Sequence, residues 1–136
     1  MEGAKKTVKE ISDELNLSWG LALIVKAQTE KGDINGAIAT SKGITNINNK
    51  SSAFSQIASA FVKKGQIAEA KKILLSLGNS SKEAEAYRET ARVFVESGYI
   101  KDLANWLINE MPTPQARVCA CIGAVDAIME SRKSKP

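Results

Sequence analysis

Apolar positions along the 136-residue chain recur every three or four residues, and nowhere do they alternate for long with polar ones. That is the helical period rather than the strand period, so the pattern predicts an all-α protein. The expected helices run over about 3–15, 19–31, 34–45, 50–64, 67–77, 82–97, 100–110 and 115–130.

The pattern also repeats. Gly32, Gly65 and Gly98 lie 33 residues apart, and each is followed two positions later by an isoleucine: Ile34, Ile67 and Ile100. Eleven positions before the glycines stand Leu21, Phe54 and Tyr87; seven before, Val25, Ala58 and Ala91; four before, Gln28, Phe61 and Phe94. Five positions after them come Ala37, Ala70 and Leu103. A fixed period of this length marks stacked units, each here a helix, a tight glycine turn and a second helix.

Residues that start and stop helices fit this frame. Ser18 is placed to cap a first helix that opens at Trp19. Gly78 offers a left-handed helix end, and Ser80 with Glu83 forms a capping box. Thr113 precedes Pro114, which favours the first helical position. The first unit reads as the loosest, because Gly36 and Gly43 each cost about 1 kcal/mol of helix propensity and Asn46-Ile47-Asn48-Asn49 is turn-like. The result is one domain over 1–136. It comprises an N-terminal capping helix within 1–17, hairpins at 18–49, 50–81 and 82–114, a half-repeat at 115–131 and a basic tail at 132–136.

The segments Gly32-Asp33-Ile34-Asn35-Gly36-Ala37 and Gly65-Gln66-Ile67-Ala68-Glu69-Ala70 resemble the central turn of tetratricopeptide repeats. So do the small residues Ala58, Ala91 and Ala124 in mid-helix, and the aromatics Phe61 and Phe94 near the helix end. The likeness spans about 19–131, or some three and a half repeats. The chain departs from the family in its 33-residue period and in placing Asn49, Lys82 and Gln115 where a closing proline is usual. The resemblance implies a tetratricopeptide-like α-solenoid, a right-handed α-α superhelix of stacked hairpins whose first helices line a peptide-binding groove. By register that groove holds Ala22, Ser55, Arg88 and Cys121, beside them Lys26, Ser59, Arg92 and Val125, and towards the turns Glu30, Lys63, Glu96 and Met129.

The groove residues singled out for a partner are Lys26, Ser55, Ser59, Lys63, Arg88 and Arg92. Arg88 and Arg92 share a helix face and suit carboxylates or phosphates. They equally suit pairing with Glu85, Glu89 and Glu96 on their own helix. The lysine–asparagine set with which some family members clamp a C-terminal carboxylate is missing, since Ala22 and Lys26 stand at its first positions.

The helix at 115–130 differs from the others. Its outward register positions Val118, Cys121, Ile122, Val125 and Met129 are all apolar, while Cys119, Ala120, Ala124, Ala127 and Ile128 can pack on the preceding unit. A helix apolar on most sides calls for cover. This patch is a candidate for a partner or for a homodimer through the C-terminal helix.

Composition narrows the function further. The formal charge is +4, but six of the nineteen basic residues lie in the two ends and the remainder is nearly balanced, so neither nucleic acid nor membrane is an expected partner. No run approaches a membrane span. Cys119 and Cys121, two apart on a helix, point about 200° from each other and cannot bridge, which fits a reduced, cytoplasmic setting. With no histidine, no metal-ligand spacing and no phosphate-binding glycine loop, no cofactor, metal or catalytic residue is expected. The expected function is a non-catalytic protein- or peptide-binding scaffold. The alternatives are a self-associating structural module and a small chaperone for an amphipathic helix.

Overall fold

The computed structural model describes residues 14–78 and 80–133, which form seven α-helices and no strand. These are α1 (Glu14–Glu30), α2 (Ile34–Ser41), α3 (Ile47–Lys63), α4 (Ile67–Leu75), α5 (Ser81–Glu96), α6 (Ile100–Asn109) and α7 (Pro114–Lys133). Long helices of 16 to 20 residues alternate with short ones of 8 to 10. Each short helix packs on the long one before it, and α1–α3, α3–α5 and α5–α7 form successive long-helix contacts, of which α5–α7 is the most extensive. The capping helix expected at 3–15 falls almost wholly outside the described residues.

One turn, used three times, sets this alternation. Gly32, Gly65 and Gly98 have φ of +83°, +77° and +85°. Only glycine enters that region without steric cost. At each site the glycine N–H donates to the carbonyl three residues back: Thr29, Val62 and Val95. The next residue's N–H reaches five back, to Gln28, Phe61 and Phe94, at 2.8 to 2.9 Å. This double bond is the Schellman arrangement, which satisfies the last carbonyls of a helix and reverses the chain. Ile34, Ile67 and Ile100 then begin the short helices.

The core consists of two clusters that meet at Phe54, Phe61 and Ile73. The first gathers Leu21, Val25, Ala37 and Ile57. The second centres on Trp106, fully buried with Tyr87 and Phe94 at ring-centroid distances of 5.5 Å each. Lys71 lies 5.9 Å from the Trp106 ring centroid and pairs with Glu110 at 3.3 Å. Tyr87 donates to the Leu74 carbonyl at 3.4 Å, and burial pushes its phenol pKa up to about 12.

Several caps form as expected. The Ser80 hydroxyl accepts from the Glu83 N–H at 3.2 Å and donates to the Glu83 carboxylate at 2.8 Å. The Ala116 N–H donates to the Thr113 hydroxyl at 3.1 Å, with Pro114 first in α7. Three expectations are corrected. Ser18 is no cap, because helix already runs from Glu14; its buried hydroxyl instead accepts from the Thr45 and Asn46 N–H groups at 3.3 and 3.2 Å. The stretch expected to be a turn at 46–49 is the start of α3, with the Asn46 side chain capping the Asn49 N–H at 3.1 Å. Gly78 does not take the left-handed conformation; its N–H donates to the Glu83 carboxylate.

Candidate functional site

The long helices α1, α3 and α5 leave a cleft of about 410 Å³ between them. Lys26 and Glu30 come from α1, Ser55, Gln56, Ser59 and Lys63 from α3, and Glu89 and Val93 from α5. Four of the six expected groove residues thus meet in one place: Lys26, Ser55, Ser59 and Lys63. Lys26 of α1 and Lys63 of α3 stand one helical turn apart in the register on the same face, and both are exposed. Neither forms an ion pair among the described residues. Lys64, which follows α3, adds a third ammonium to the rim, against Glu30 and Glu89. Ser55 is nearly buried and its hydroxyl donates to the Ser52 carbonyl at 2.8 Å, so it shapes the floor instead of reaching outward. A smaller hollow of about 260 Å³ continues the cleft past Ser55 and Glu89 to Asn48, Ser52 and Lys82.

Arg88 and Arg92 do not line this cleft. Arg88 pairs with Asp126 of α7 at 3.0 Å. Arg92 pairs with Glu96 on its own helix at 3.1 Å and with Glu130 of α7. The Glu130 carboxylate and then Glu96 hold the Arg92 pKa above its ordinary value against the opposing effect of burial. Two cations one helical turn apart thus face two carboxylates with the same spacing across a parallel helix pair. This ladder joins α5 to α7. Its sequence signal is the shared four-residue interval of Arg88/Arg92 and Asp126/Glu130, visible only once the two helices are known to run side by side.

Helix α7 meets α5 with small residues and shows large ones to solvent. Ala116, Ala120, Gly123 and Ala127 are buried. At Gly123 a methyl group would lie 2.0 Å from the Arg88 carbonyl oxygen, so the two backbones come into direct contact. On the other side Val118, Ile122, Val125 and Met129 are 58%, 42%, 56% and 49% exposed, with Cys121 also exposed. Ile128, expected to pack inward, is 38% exposed. Both cysteines are free; burial first, and then the Glu85 carboxylate, raise the Cys119 thiol pKa, while Arg88 opposes them.

Among the described residues no three His, Cys, Asp or Glu side chains converge as metal ligands, and no helix is long and apolar enough to cross a membrane. The described residues form an all-helical domain of seven packed helices whose outstanding surface features are a lysine-flanked cleft and an apolar helix face. Compared with known protein families, curated proteins and solved structures, it matches none.

Proposed function

We propose that this protein is a non-catalytic peptide-binding module of tetratricopeptide-like design, and that the cleft between α1, α3 and α5 is where it holds its partner. The observation that carries this reading is the convergence of Lys26 and Lys63, both free of ion pairs among the described residues, on one 410 Å³ cleft. The 33-residue register aligns Lys26 with Ser59 and Glu30 with Lys63, so all four positions fall on one surface of successive long helices. Repeat arrays use such surfaces to bind extended segments. The two ammonium groups select for carboxylates, and the serines and Gln56 offer hydrogen bonds along the backbone of a bound peptide.

Display of a random peptide library against the immobilised protein tests this. Selected peptides should be enriched in Asp and Glu, and a Lys26→Glu/Lys63→Glu variant should lose them while keeping its melting temperature. Selection of no peptides, or of peptides that bind the variant equally well, would overturn the reading.

A further inference from the structure

The cleft does not end at its lysines. The hollow that continues it shares Ser55 and Glu89 with it, so the two form one track along α3. From Lys63 to Asn48 the track covers about 22 Å of helix, the length of about seven residues of extended chain. Charge is divided along it. The glycine-turn end holds the ammonium groups of Lys26, Lys63 and Lys64 against the Glu30 carboxylate. The other end holds Glu85 and Glu89 of α5 against Lys82. Glu85 and Glu89 are exposed, lie one helical turn apart and form no ion pair among the described residues. Arg88 and Arg92 of the same helix differ in this, since α7 meets both their charges. Two polar atoms along the track also lack partners. The Gln56 amide donates to the Ser52 hydroxyl at 3.2 Å, but its buried Oε1 accepts from no donor among the described residues. Ser51, 4% exposed, lines the hollow, and its hydroxyl is likewise unpartnered among them. Buried groups of this kind are normally satisfied, and the backbone of a segment lying in the track offers each a partner.

We propose that the segment bound here, on the peptide-binding reading from which this follows, carries a basic residue three positions from its acidic one. The 33-residue register sets Lys26 level with Ser59, Glu89 level with Gln56 and Glu85 level with Ser52. The centre of the Lys26/Lys63 pair therefore lies about seven helical residues, or about 10 Å, from the centre of the Glu85/Glu89 pair, which is three steps of an extended chain. An odd number of steps also fits the walls. Side chains of an extended chain point alternately to its two sides. Lys26 stands on α1 and both glutamates on α5, with α3 as the floor between them. The acidic side chain goes to Lys26 and Lys63, and the basic one goes between Glu85 and Glu89. Gln56 Oε1 accepts a backbone N–H of the stretch that joins them. A segment acidic throughout would set its far end against two carboxylates.

Position-resolved sequencing of display-selected peptides, from the parent and from Glu85→Gln/Glu89→Gln, tests this. In the parent's pool, Lys or Arg three positions from Asp or Glu should exceed its library frequency at least about threefold, the size expected of an exposed charge contact. In Glu85→Gln/Glu89→Gln that enrichment should vanish, while the preference for Asp and Glu and the melting temperature are kept. Acidic peptides with no basic residue at that spacing, or a basic preference that survives in the variant, would overturn the inference and leave the peptide-binding reading standing. A parent protein that selects no peptides would overturn both.

Discussion

Replacing Gly123 with alanine sets two effects of opposite sign against each other. In the interior of α7, alanine is favoured over glycine by about 1 kcal/mol of helix propensity, so a helix with room to spare would be stabilised. Here the new methyl carbon would lie 2.0 Å from the Arg88 carbonyl oxygen, 2.8 Å from its carbon and 3.1 Å from its Cα. A carbon–oxygen approach below about 3.3 Å is repulsive, so the methyl is over 1 Å too close. The obstacle is helical backbone in mid-α5, which cannot move as a side chain would. The helices must separate or α7 must roll, which loosens the packing of Ala116, Ala120 and Ala127 and strains the Arg88–Asp126 contact. Overpacking of this kind costs about 1–3 kcal/mol or somewhat more, which outweighs the propensity gain and leaves a net loss of roughly 1–2 kcal/mol. Urea titration followed by circular dichroism should show that loss, with a fall in melting temperature of roughly 4–8 °C. Adding Arg88→Ala should not rescue the variant, because the clash is with backbone. A Gly123→Ala protein as stable as the parent, or more stable, would refute the close α5–α7 approach.

Two further perturbations test the core. Gln28 takes the register position of Phe61 and Phe94, is 4% exposed, and its amide oxygen has no hydrogen-bond donor among the described residues; Gln28→Leu should raise stability by about 1 kcal/mol in the same titration. The Tyr87 phenol titrates higher in the folded protein than in the unfolded chain, so folding holds its proton; the stability this gives is complete below pH 10 and drains away as pH rises from 10 towards 12. Tyr87→Phe should therefore lose a little stability at neutral pH, about 1 kcal/mol from the hydrogen bond to Leu74, yet show a shallower decline than the parent across that alkaline window.

The succession of helix, glycine turn and helix was legible in the chain because its determinants are local, whereas the inequality of the first pair, 17 residues against 8, was not. A left-handed glycine, a Ser80/Glu83 box and a Thr113-Pro114 start act within a few residues of themselves. Ser18 and Asn46 misled for the opposite reason. Ser18 has the chemistry of a cap, but its bonds go to Thr45 and Asn46, far away in sequence, while Asn46 rather than Lys50 marks where α3 begins. The cleft was partly legible: register alone placed Lys26, Ser55, Ser59 and Lys63 on one surface, and they meet there. It could not say that Arg88 and Arg92 would be drawn to Asp126 and Glu130, since that depends on how near α7 comes. Nearness in turn is set by a single register position that reads Ile24, Ile57, Thr90 and Gly123 along the chain. Its side chain shrinks to nothing at the last step, and α7 settles against the α5 backbone.

The central claim, that Lys26 and Lys63 hold an acidic peptide in the α1–α3–α5 cleft, is tested most directly by fluorescence anisotropy with one display-selected peptide. Affinity should fall at least about tenfold in Lys26→Glu/Lys63→Glu, weaken with added salt, and be unaffected by Val125→Glu. Equal affinity for the parent and the charge-reversed variant, or loss of binding through Val125→Glu alone, would contradict it.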